Sequence, residues 1–339
     1  MAAGAPIGPA KGSVETTEDK TMAVKLETKK YSIPGWVDEF IETKYLKDLE
    51  KLDPAEATKR LYNVGRASLE QLQPLVEATV PEQLEDGRYT KDVPSDYKGG
   101  DALMFHQRSV EKIVHECLEN ITRRRPKRPF TFVPVWTPQE IEQRTRARKW
   151  NSMAWGAGSH AGADIDVLYM NVQMGLEEYR PAYEAAMATV TALQNAEDGM
   201  WGGQQNEPFD RVNGTMKLLS KVHFIQECHL PFADKVIDYV LDYSKNAYPT
   251  MISAHHRTID LCCSMIDIMF CLEYAIRMTD HQRDDIAETV YGLFPIMEQL
   301  GKREDCSLNL WGSIRRAANL CGFKDELGWP DKVYRFPAA

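Results

Sequence analysis

Residues 258–276, TIDLCCSMIDIMFCLEYAI, read as a helix that is apolar nearly all round and interrupted by only a few polar side chains. A helix of that kind has no face to give to solvent and must be enclosed by others. Its neighbours differ. KVIDYVLDYSK at 235–245 and ETVYGLFPIMEQ at 288–299 are amphipathic, as expected of helices with one wet face. Alternation of enclosed inner and half-wet outer helices predicts a two-layer α/α toroid, a barrel of paired inner and outer helices.

The rest of the chain keeps to the same period. From Tyr31 onward apolar residues recur at three- and four-residue spacing, and DPAEATKRLYNVGRASLEQLQPLVEATV opens with Asp53 as N-cap and Pro54 at the first helical position. A polar, Pro- and Gly-containing connection, PEQLEDGRYTKDVPSDYKGGD, follows at 81–101. Eleven or so helices of 12 to 22 residues are expected in all. The best strand candidate is FTFVPVW at 130–136, weakened by Pro134. The predicted organisation is a disordered tail over 1–28, an N-terminal helical segment and linker over 29–100, and an all-α toroid domain over 101–339.

Charge and cysteine usage narrow the partners. A formal net charge of -9 disfavours nucleic acid and anionic membrane surfaces, both of which are held by basic patches. The one basic run, RRRPKR at 123–128, is short and broken by Pro126, and reads as a solvated loop. Seven scattered cysteines, with Cys262, Cys263 and Cys271 inside an apolar run, suit buried thiols in a reducing compartment. No secretory leader pattern opens the chain, and no apolar stretch reaches the ~18 residues of a membrane span. A cytoplasmic protein without a membrane span is expected. Cofactor and oligomeric state stay open, and no metal ligands are put forward.

ALQNAEDGMWGG at 192–203, through Gln194, Asp198, Gly199, Trp201 and Gly202, is similar to the signature of the terpenoid-cyclase and protein-prenyltransferase toroids. The order WGAGSH, DGMWGG, RVNGTMKLL, CCSMIDIMFCL and LWGSIRR, over roughly residues 100 to 325, resembles bacterial toroid proteins linked to polysaccharide metabolism. The resemblance implies the toroid fold and an enzyme on a carbohydrate or an isoprenoid. Two motifs depart from the cyclase pattern. DID at 164–166 is followed by Val167 where an acidic triplet continues in the cyclases, and DDIAE at 284–288 only approximates their metal motif. It also falls at a helix start, where acidic residues favour the macrodipole.

Several constellations carry candidate chemistry. His256, Asp260, Ser264 or Cys263, and Asp267 share one face of the enclosed helix. Ionised carboxylates inside a core cost several kcal/mol unless paired or solvated, so that face is expected to meet a water-filled central cavity. His160 and Asp164 stand at i and i+4, either as a mutually oriented acid–base pair or as a capped helix start, with Gly156, Gly158 and Gly162 leaving that start undefined. Asn213, Lys217 and Ser220 form a polar stripe in which Lys217 suits a carboxylate or an anionic substrate, or else solvent. Trp201 reads as a stacking platform or as packing over a helix end, with Asp198 beside it in the turn. Trp311 and Arg315 pair an aromatic face with a guanidinium.

The expected function is acid–base chemistry on a carbohydrate or uronic-acid substrate by hydrolysis, elimination or epimerisation. Asp260, Asp267, His256, His160 and Asp164 are the catalytic candidates; Trp201, Asp198, Asn213, Lys217, Trp311 and Arg315 are those for substrate binding. Asp260 and Asp267 lie about 10 Å apart along the helix axis, too far for a retaining pair. The alternatives are an isoprenoid cyclase or transferase and a non-catalytic toroid that binds a glycan or a protein.

Overall fold

The computed structural model describes residues 31–89, 109–223, 228–253 and 257–330, and every regular element among them is helical. The expected tail at 1–28 and most of the connection after Tyr89 lie outside the described residues. No helix among those described is long and apolar enough to cross a membrane.

The first helix, α1 (Trp36–Phe40), runs on into a π turn, Ile41–Tyr45, and is followed by α2 (Pro54–Asn63) and α3 (Leu69–Thr79). The Asp53 carboxylate accepts the N–H groups of Ala55 and Glu56 at 3.0 Å each, satisfying two orphan donors of α2 as its position predicts. A π-type helix, α4 (Glu111–Thr122), leads to α5 (Pro138–Arg146), whose start is closed by the reciprocal Thr137 and Glu140 capping box. Between them FTFVPVW forms no strand. Pro134 denies a ladder its donor, and Asn171 instead clamps the backbone of Phe130, accepting its N–H at 2.7 Å and donating to its carbonyl at 3.0 Å.

The remaining elements are α6 (Ala154–Gln173), α7 (Arg180–Leu193), α8 (Pro208–Leu218), α9 (Ala233–Asp242), α10 (Tyr248–Ser253), α11 (Thr258–Ala275), α12 (Arg283–Gly292), α13 (Phe294–Lys302) and α14 (Asn309–Leu320). Single π turns extend α8 through Leu219–His223 and α9 through Tyr243–Ala247. The two expected classes of helix are present. α6, α8, α11 and α14 are buried on most faces and pack in sequence, α6 on α8, α8 on α11 and α11 on α14. Helices with one buried stripe cover them: α7 lies on α6, α9 on α11, and α12 and α13 on α14. One apolar core runs from Val37 and Phe40 of α1 through these helices to Phe323, while Leu72, Val76 and Ile121 build a small satellite under α2 and α3.

α11 and α14 run parallel. Asn309 and Arg316 of α14 reach Cys263 and Glu273 of α11 in the same order along both chains. Tyr243 and Tyr248, following α9, bond Ser264 and the carbonyl of Leu261 in reverse order, so that segment runs antiparallel to α11. α6 and α8 meet backbone to backbone through Gly158 and Gly214. The glycines that leave the start of α6 undefined in the sequence therefore do not break the helix. Gly158 and Gly162 remove side chains that would hold α8 away.

A Cβ on Gly214 would lie 2.5 Å from the carbonyl oxygen of Ala154 and 3.0 Å from the amide nitrogen of Trp155, both backbone atoms with nowhere to move. Gly292 of α12 has open space around it. Gly214→Ala is expected to cost about 1–3 kcal/mol or more of unfolding free energy. Gly292→Ala is expected to be neutral or stabilising by roughly 0.5–1 kcal/mol. Paired denaturant titrations check both, and equal effects at the two positions would show that the seam tolerates a side chain.

Candidate functional site

α11 places Asp260, Cys263 and Asp267 along one face at successive turns. Asp260 lies in the first turn, where its carboxylate is held at 2.8 and 2.9 Å by the guanidinium of the exposed Arg257. One turn deeper, Cys263 is half-buried and receives the side-chain amide of the exposed Asn309 at 3.4 Å. Asp267, a further turn in, is 1% exposed and its Oδ2 has no hydrogen-bond partner. Ser264 leaves this stripe. It faces the outer layer and shares a 2.7 Å hydrogen bond with the Tyr243 hydroxyl.

From α8, Lys217 stands within electrostatic reach of both Asp267 and Cys263. Asn213, one turn earlier on α8, is buried with its Oδ1 unpartnered. The polar stripe read from RVNGTMKLLSK thus contributes its lysine to the carboxylate read from the enclosed helix. Burial lifts the Asp267 carboxyl from 3.8 to about 7, against the pull of the Lys217 ammonium. A group that titrates there exchanges protons readily at neutral pH.

The other buried carboxylates show how unusual this is. Asp166 of α6 is bonded at 3.0 and 3.2 Å to Nε2 of His115 on α4. Burial works against a charge on that imidazole, but the Asp166 carboxylate outweighs it and raises the His115 pKa to about 10. Glu273 of α11 is held by the Arg316 guanidinium and by Asn319 at 2.9 Å. Asp164 accepts three bonds of 2.8 to 3.2 Å from Arg144 and Arg148. Among the described residues, Asp267 is the buried carboxylate without a hydrogen-bonded cation.

Several residues singled out from the sequence take other places. Arg148 stands between His160 and Asp164, with Nη1 3.5 Å from the His160 Nδ1 and Nη2 2.8 Å from the Asp164 carboxylate. The i, i+4 spacing of those two residues therefore serves an arginine cluster joining α6 to α5, and Asp164 is occupied as an ion-pair partner. Trp201 is fully buried, its indole N–H bonded to the Val190 carbonyl at 2.8 Å, and offers no free ring face. Around it Gly199 adopts φ +72° and Asp198 is bound by Arg211 at 2.7 and 2.8 Å, so the loop is packed as a helix stop. Trp311 is wedged between Tyr45 and Trp329, with ring centroids 4.9 and 4.8 Å away, and Arg315 bonds Asn63 and the carbonyl of Pro330. They staple α14 to the N- and C-terminal segments. Asp284 and Asp285 occupy an exposed first turn of α12. His256 lies outside the described residues.

Asn309 and the His115–Asp166 pair carry no local sequence signal. Asn309 shows only as a polar residue at a helix start, and the partners in the pair are 51 residues apart. No family model, curated protein or solved structure matches the chain.

The raised pKa has a thermodynamic sign. An unfolded Asp gives up its proton near pH 4, while the folded Asp267 holds it to about pH 7. Between those values the folded state binds more protons, so stability falls as pH rises, by about 4 kcal/mol once pH exceeds 7. Asp267→Asn removes the penalty. The variant is expected to match the parent in stability at pH 4 and to exceed it at pH 8, as read by urea denaturation at both values. An advantage independent of pH would mean that the carboxyl titrates normally.

Proposed function

We propose that this chain is an α/α toroid and an enzyme that abstracts a proton beside the carboxylate of a sugar acid, with Asp267 as general base. The observation that carries the proposal is the buried, unpartnered Asp267 carboxylate opposite Lys217. A toroid is supported by the alternation of enclosed and one-sided helices and by the contacts that lead round the molecule. These run from α4 through the His115–Asp166 pair to α6, on to α8, α11 and α14, and back through Arg315 and Asn63 to α2, α3 and α4.

The chemistry follows from the two groups. A C–H next to a carboxylate is a weak acid, and its removal builds negative charge on that carboxylate. Lys217 can receive the carboxylate and stabilise the growing charge. Asp267 takes the proton. The C–H electron pair then forms a double bond with expulsion of the oxygen substituent one carbon further on, which leaves as an alcohol with a proton from water or from protonated Asp267, or a proton from water is added on the opposite face to invert the centre. Uronic acids supply both the carboxylate and the departing oxygen. Trp155, exposed at the start of α6, offers a ring on which a sugar can stack.

Three features favour this over the related readings. Glycoside hydrolysis by paired carboxylates requires a second carboxyl, but Asp260 is engaged by Arg257 at the outer end of α11 and Asp164 by Arg144 and Arg148. Isoprenoid diphosphate chemistry draws on clustered acidic ligands, and among the described residues no group of three His, Cys, Asp or Glu side chains is arranged to hold a metal ion. A purely binding protein has no need of a carboxylate that destabilises it at neutral pH.

The test is deuterium incorporation next to the carboxylate, together with the ultraviolet absorbance of unsaturated product, across a panel of uronate oligosaccharides. Asp267→Asn is expected to lower the rate by about 10²–10⁴-fold. Lys217→Met is expected to slow uronates far more than their methyl esters. The parent rate is expected to rise through about pH 7 as Asp267 loses its proton. Full activity in Asp267→Asn, or a panel in which no uronate exchanges or eliminates, would overturn the proposal.

A further inference from the structure

The basic run after α4, which the sequence reading assigns to solvent, is folded around a cavity of about 260 Å³. Arg124, Arg125, Lys127 and Arg128 line one side of it. Val80, Pro81, Tyr89 and Leu118 form an apolar wall. The backbone that carries the cations is fixed by one side chain. Gln83 accepts the N–H groups of Lys127 and Arg128 at 3.0 and 2.9 Å through Oε1. Its Nε2 donates to the carbonyls of Arg128 and Gly87 at 2.6 and 2.8 Å. Three of these four hydrogen bonds hold a loop whose basic side chains remain exposed. Order of this kind lowers the entropy a ligand must overcome.

The charges around the cavity do not cancel. Glu77 is bound to Arg124 at 3.1 Å, and Glu82 is the other carboxylate in the lining, so two positive charges remain in excess. Arg125, Lys127 and Arg128 make no ion pair among the described residues. A chain with a net charge of -9 has thus gathered uncompensated cations at a concave place. Close-range attraction there acts within a Debye length of roughly 8–10 Å, while the overall negative charge repels long polyanions. The volume lies just under the roughly 300–1,000 Å³ of drug-sized pockets and suits one or two phosphoryl groups with a short body.

We propose that this cavity binds a small phosphorylated ligand, its phosphoryl oxygens held by Arg125, Lys127 and Arg128 and its body against Val80, Pro81 and Leu118. Guanidinium groups bind phosphoryl oxygens in bidentate fashion. Burial of Tyr89, which also lines the cavity, pushes its hydroxyl up to about 12 and keeps it neutral. The site is built on α3, α4 and the loop between α4 and α5, not on α8 and α11, and is independent of the function proposed above.

Titration calorimetry on the full chain with pyrophosphate and with inorganic phosphate, using sulfate as the control anion, tests the proposal. Saturable pyrophosphate binding is expected, stronger than sulfate binding and weakening as sodium chloride is raised. Arg125→Ala with Arg128→Ala is expected to weaken it by about tenfold or more, as expected for loss of two charge-assisted contacts. Lys127→Gln provides a milder second variant, and Asp267→Asn is expected to bind as the parent does. Failure of both phosphates to bind, equal binding of sulfate, or binding untouched by the arginine and lysine variants would each overturn the assignment.

Discussion

A helix walled in by other helices leaves its buried polar side chains little water, so each must find a partner among its neighbours or carry the cost of burial. α11 lies under that constraint between α8, α9 and α14. Glu273 meets it through Arg316 and Asn319, Ser264 through Tyr243, and the carbonyl of Leu261 through the Tyr248 hydroxyl. The same rule orders α6, where Asp166 draws in His115 from α4 and Asp164 draws in the arginines around α5. These pairs fix which helices sit beside one another. Asp267 is answered only by the charge of Lys217, and so the electrostatic strain of the interior is concentrated at one carboxyl.

The position of Lys217 depends in turn on a contact made without side chains. α8 approaches α6 through Gly158 and Gly214, and further along Gly162 lies against the backbone of Lys217 and the side chain of Lys221. A bulkier residue at any of these places displaces α8 outward, and with it the lysine opposite Asp267. Packing between two backbones therefore sets the distance between two charges on a different pair of helices. An apparently loose, glycine-rich segment thus forms a close backbone contact within the core.

Local chemistry was legible from the residues. Asp53 with Pro54, and Thr137 with Glu140, start helices through hydrogen bonds that span three residues, and the all-helical class follows from a period repeated along the chain. The enclosed nature of α11 was equally plain from its composition, as was the value of looking at Asp267. The rest was not legible because the partners are remote. Nothing near Asp164 in sequence distinguishes a carboxylate that will meet two arginines from Asp267, which meets none. The tryptophan of DGMWGG has the same local signature whether its ring is packed inside or turned to a ligand, and here it is packed inside. RRRPKR reads as solvated until Gln83, more than 40 residues earlier, is seen to clamp its backbone.

The helical class, the helix starts, and the presence of charged groups on a helix that must be enclosed are written in the residues alone, because these rest on spacings within a few turns. The tertiary structure alone decided which of those charges are neutralised, which glycines are contact points and where the basic loop encloses space. Each of those outcomes depends on groups far apart in the chain, and their energies are set by the distance and burial that only the packed fold establishes.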